Sequence, residues 1–147
     1  MTGFGIDQLG LDTKITLLAA GVIFLWALIL GVWKYHGIMT SPQHQAHVYV
    51  DIAHRAALMY AFATALIAIF VQLSAWSTTL NLIAAGVLVF FFVAAIASYC
   101  LHGALRDTDN QFATPTPGTT PFMYALIVGE IGAFAVLLAG FIKAWTS

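Results

Sequence analysis

Four long runs free or nearly free of charge dominate this sequence: Ile15–Trp33, Ala56–Trp76, Leu80–Leu101 and Pro121–Ile142. A helix needs about 20 apolar residues to cross a hydrocarbon layer of roughly 30 Å, and each run is close to that length. Membrane barrel strands alternate in polarity and are about half as long, so the continuity of the runs excludes them. Only 7% of the 147 residues are charged, where a soluble domain carries about 25%. Such a chain is no cytosolic enzyme. Its net charge of −1 also argues against an electrostatic grip on nucleic acid. Cys100 is the single cysteine, which rules out an internal disulfide framework. The first run reads as a span rather than a cleaved leader: it is long, Asp7 and Asp12 precede it, and no small-residue cleavage site follows before Lys34. The expected fold is an all-α membrane protein. One domain over residues 1–147 forms an antiparallel four-helix transmembrane bundle, with helices at about 15–33, 44–76, 80–102 and 121–144 and both termini on the same face.

The connections are unequal. Ser77, Thr78 and Thr79 make a tight hairpin between the second and third helices, whereas the other two loops are long and polar. Lys34, Arg55 and Arg106 belong to the long-loop face and Lys14 and Lys143 to the terminus face, a three-to-two bias that points to long loops on the cytoplasmic side. All five histidines, His36, His44, His47, His54 and His102, fall on the long-loop face. The chemistry is expected at that end.

His44, His47, Asp51 and His54 recur at spacings of 3, 4 and 3, which on a helix starting near Pro42 gives one stripe. Imidazoles and a carboxylate on one stripe suit a metal site, but equally a wet interfacial face. His54 stands at the threshold of the second apolar run, where a neutral imidazole is a common ligand of iron and haem, or simply an interfacial hydrogen-bonding group. Arg55 beside it has the reach to snorkel or to pair with a propionate. Tyr99 and His102 lie one turn apart at the same depth; a phenol there orients an oxygen, or belongs to the aromatic belt. Tyr60 lies deeper than a belt residue, so its hydroxyl needs a partner or a cavity. Glu130, in mid-span without a cation at its depth, is expected neutral and hydrogen-bonded, with Tyr60 as a partner within reach, or else to relay protons. Cys100 reads as packing. Ala84, Ala85, Gly86, Ala94, Ala95, Ala97 and Ser98 give the third helix a small-residue surface for close approach.

The pair Ala53 and His54, then Tyr99, then Asn110, Gln111 and Phe112 with Gly118 resemble the styrene oxide isomerase family, small four-span membrane proteins that bind haem b and convert aryl epoxides to aldehydes. The hydroxylaminobenzene mutases look like more distant kin around the same histidine. The likeness runs from the second helix to the start of the fourth. It implies His54 as the axial haem ligand, Tyr99 facing the substrate, and a homo-oligomer, a trimer by analogy, with haem at the subunit interface. Tyr60 stands where the family carries an asparagine, Ala61 replaces the glycine that follows, and the loop before the fourth helix is shorter. The resulting expectation is a haem-b-dependent isomerase in a bacterial-type cytoplasmic membrane, acting on a hydrophobic small molecule from the bilayer. His54 binds the metal, Arg55 and His102 contact the cofactor, and Tyr99 and Tyr60 are catalytic. The alternative is a cytochrome b-type electron-transfer or anchor subunit with His54 and His102 as paired axial ligands. A third is an accessory subunit whose histidines are interfacial.

Overall fold

A computed structural model describes residues 5–147. After a single turn at Ile6–Gln8, the chain forms four helices: α1 (Leu11–Thr40), α2 (Val48–Gln72), α3 (Thr78–Leu105) and α4 (Thr119–Thr146). All four are long and apolar enough to cross a membrane, and no strand occurs among the described residues. The chain is an integral membrane protein built as an antiparallel four-helix bundle.

The helix ends follow local chemistry more than the apolar runs do. At about 1.5 Å per residue, the 30 residues of α1 span about 45 Å, so the helix projects beyond the hydrocarbon. It stops only at Ser41, held extended (φ −89°, ψ 134°) by the steric demand of Pro42 on its predecessor. The second helix does not begin at residue 44. His44 occupies a left-handed turn (φ 52°), and His47 caps α2, its Nδ1 accepting from the Tyr49 amide at 3.3 Å. Nor does α2 reach Trp76, because its chain turns after Gln72 to meet α4. The Ala75 amide donates to the Gly140 carbonyl and the Trp76 indole to the Val136 carbonyl at 2.7 Å. Ser77 caps α3 through the Leu80 amide, and Arg106 ends it in the left-handed region (φ 53°).

Two apolar clusters fill the bundle. Towards the long loops, Ala53, Ala57 and Ala61 recur every turn of α2 and meet Ile23, Ala27 and Leu30 of α1 and Ile96 of α3. Three alanines at that spacing let the α1 and α2 backbones approach closely, as small residues do in membranes. Towards the termini, Ile67, Val71, Ala84, Ala85, Leu88, Phe92 and Leu137 form the second cluster. Of the small residues expected to pack α3, Ala84, Ala85 and Ala95 are buried but Gly86 and Ala97 are exposed. Helix α4 is peripheral and buries only Leu137 and Gly140.

Candidate functional site

His54 sits in the α1–α2 seam, and the seam is shaped around it. Its Nδ1 lies 2.9 Å from the Ala27 carbonyl of α1. A carbonyl can only accept, so Nδ1 carries the ring proton and Nε2 keeps its lone pair. The ring rests on Gly31, one turn above Ala27. A Cβ at Gly31 would lie 2.9 Å from His54 Cε1 and 3.3 Å from Nδ1. Only glycine leaves that notch open. An imidazole whose Nδ1–H is fixed by a backbone carbonyl is the arrangement that orients metal-ligating histidines.

The remaining histidines differ sharply. His47 is consumed: its Nδ1 accepts from Tyr49, and its Nε2 faces Asp109 Oδ1 at 3.4 Å. Asp51 is bridged by Lys34 Nζ at 2.6 Å and by Arg55 at 2.8 Å. With His44 in a turn, His47 capping and Asp51 ion-paired, the expected stripe over His44, His47, Asp51 and His54 does not form. No group of three or more histidine, cysteine or acidic side chains is poised around a metal ion among the described residues. Arg55 is largely exposed and tied to Asp51.

Tyr60, Tyr99 and His102 come together. They line one cavity of about 580 Å³ bounded by α3, α4 and the loop joining them, with Tyr60 of α2 at its edge. Tyr60 stacks on Phe92 with ring centroids 4.3 Å apart. Tyr99 lies beside Tyr49 at 6.0 Å, and Tyr49 lies 5.3 Å from the His102 ring. Tyr49 is 4% exposed, and its hydroxyl accepts from the Gln111 amide at 2.6 Å. Ser98 donates to the Gln111 side chain at 3.1 Å. These two contacts pin the α3–α4 loop over the cavity. His102 Nδ1 meets Asp107 Oδ1 at 2.9 Å, so here too Nδ1 bears the proton and Nε2 is left over. The same hydrogen bond holds the Asp107 carboxyl below the usual aspartate range. His54 and Arg55 line neither this cavity nor the larger polar one of about 810 Å³ beside the α1–α2 loop. Within one chain, the expected haem ligand thus lies outside the cavity that the expected catalytic tyrosines line.

Two features lie outside the sequence expectations, and a third departs from one. Tyr49 lies one turn before Ala53, on the alanine face of α2, and is buried. Glu130 was expected to be hydrogen-bonded; its Oε1 is instead buried with no partner among the described residues, and no bond to Tyr60 forms. At the terminus face, Asp12 is buried in the first turn of α1, where the helix dipole favours a carboxylate. It accepts from the Thr13 amide at 3.0 Å and from Asn81 Nδ2 at 2.9 Å, joining α1 to α3. Thr13 Oγ1 donates to Gln72 Oε1 at 2.7 Å, joining α1 to α2. This cluster is polar glue between spans.

Comparison with protein-family models, with curated proteins and with solved structures finds no match.

Proposed function

We propose that the protein is a haem-b-dependent membrane isomerase that rearranges a hydrophobic aryl epoxide to a carbonyl compound. The observation that carries the reading is the His54 bond to the Ala27 carbonyl over the Gly31 notch. It leaves Nε2 as the free donor on an imidazole already fixed in tautomer and orientation, which is the chemistry an axial ligand needs. The donor set therefore fits the group. When bound, ferric haem supplies Lewis acidity towards an oxygen of the substrate. The chain's own residues do the rest. The α3–α4 cavity takes the aromatic body among Phe112, Phe122, Met123 and Leu126. The Tyr99 hydroxyl donates a hydrogen bond to the oxygen on which charge develops, and Tyr60 fixes the ring at the deeper end of the same cavity.

His54 lies outside that cavity, so the reading requires a homo-oligomer in which the α1–α2 face of one copy meets the α3–α4 opening of the next. The family likeness implies a trimer with haem at the subunit interface, which is compatible with this arrangement. The exposed apolar face of α4, with Ile127, Val128 and Ile131, is available to lipid or to another copy. The membrane is a bacterial-type cytoplasmic one with the long loops inside, as the Lys34, Arg55 and Arg106 bias has it.

The test is direct. Protein purified with haem b should convert an aryl epoxide to the aldehyde, and Tyr99→Phe should keep its haem while losing most turnover. A haem-loaded protein that leaves a panel of aryl epoxides unchanged contradicts the reading.

A further inference from the structure

The His102–Asp107 pair is not needed for a hydride shift, which moves no net proton, yet it is built into the wall of the α3–α4 cavity. We propose that this cavity binds a phenol-class ligand, an aromatic body with one ionisable hydroxyl, whose O–H donates to the free nitrogen of His102. The inference goes beyond the isomerase reading and does not depend on haem.

Three observations carry it. First, the Asp107 carboxylate holds the proton on Nδ1 at 2.9 Å, so the remaining nitrogen is an acceptor and a base. It calls for a donor from the ligand, and an aryl epoxide has none. Second, Tyr99 shares the cavity with His102, and its hydroxyl can donate to an oxygen that His102 accepts from. A hydroxyl is the simplest group that satisfies both at once. Third, the lining is mixed: Phe112, Phe122, Met123 and Leu126 offer an apolar wall for an aromatic ring, beside polar side chains such as Ser98 and Gln111, and a volume of about 580 Å³ lies within the range of small-molecule sites. Asp107 acts through His102 and is a positioning residue. When the proton moves, it passes from the ligand oxygen to His102 Nε2. The product is a phenolate beside an imidazolium whose Nδ1–H still faces Asp107, so charge is conserved and no further reactant is needed. The groups around His102 are Tyr49 from α2, Tyr99 from its own helix and Asp107 from the loop; among the α4 residues that line the cavity, none is charged.

The probe is 4-fluorophenol, followed by fluorine NMR on the purified full-length protein. Saturable binding is expected, with the bound resonance displaced towards that of the phenolate. 4-Fluoroanisole, which has the ring but no O–H, should bind about tenfold more weakly or worse. His102→Gln should weaken phenol binding by a similar factor and abolish the displacement, and Asp107→Asn should reduce the displacement while leaving the fold intact. Leu126→Trp fills the cavity and should remove saturable binding, which separates the site from partition into detergent. Equal binding of the two probes, an unaltered resonance in His102→Gln, or saturation that survives Leu126→Trp would each overturn the proposal. The absorption spectrum reports haem separately, so loss of the isomerase reading and loss of this one are distinguishable.

Discussion

Gly31→Ala separates a structural histidine from a ligating one. The added Cβ would stand 2.9 Å from His54 Cε1, whereas carbon atoms settle at about 3.5–4.0 Å. The ring must therefore retreat by about 0.6 Å or more. The Nδ1 to Ala27 distance is 2.9 Å, and a retreat of that size carries it past the roughly 3.2 Å limit of a good N–H···O bond. Losing that bond costs about 0.5–1.5 kcal/mol, while replacing glycine by alanine within a helix returns about 0.8–1.0 kcal/mol. The two nearly cancel, so the bundle should unfold within about 1 kcal/mol of the wild type. Haem affinity should not cancel. Loss of the partner that orients a ligating histidine typically costs 10–100-fold in affinity. Haem titration of the two proteins, beside their denaturation curves, checks both halves. Unaltered haem affinity in a Gly31→Ala protein that folds normally would refute the claim that the α1–α2 seam positions an axial ligand.

Other outcomes follow from the same geometry. Tyr99→Phe removes one oriented donor and should lower epoxide turnover by roughly 10²–10³ with haem content unchanged, read by product chromatography. If Glu130 is protonated, as expected of a mid-span carboxyl, Glu130→Gln is nearly isosteric with it and should leave folding and haem content unaltered, whereas Glu130→Leu should disturb the packing of α4 on denaturation. Ser77→Ala removes the α3 cap and should cost about 1 kcal/mol in the same assay. The Asp107 carboxyl is depressed by its bond to His102, so its contribution to loop order is present above the ordinary aspartate value of 3.8 and is lost as pH falls through the lowered one. Amide exchange in the α3–α4 loop should rise in that acid range in the wild type and be insensitive to it in Asp107→Asn.

The bundle could be read from the runs because continuous apolar length leaves a chain in lipid few options. Its ends could not. Where α2 begins depends on His47 turning its Nδ1 onto the Tyr49 amide and on His44 entering a left-handed turn, and neither shows in apolar periodicity. The collection of imidazoles at one face followed from topology alone. Their division of labour did not: His47 is spent on a cap, His102 on Asp107, and His54 on a backbone carbonyl, which only packing reveals. Tyr60, Tyr99 and His102 share a cavity because residues on α2 and α3 meet beneath the α3–α4 loop. Tyr49, which holds that loop through Gln111, had no counterpart in the stripe of histidines. The Asp12 and Asn81 contact was hidden for another reason. Residues 12 and 81 lie on different helices, and pairing across 69 positions has no local signature.

The measurement closest to the central claim is the absorption spectrum of the protein purified from haem-replete membranes, taken for the wild type, His54→Ala and His102→Ala. The account predicts a Soret band with high-spin ferric features from a single histidine ligand, absent in His54→Ala and retained in His102→Ala. A low-spin spectrum lost in both variants would instead make the protein a bis-histidine cytochrome, and a wild type without a Soret band would contradict haem binding altogether.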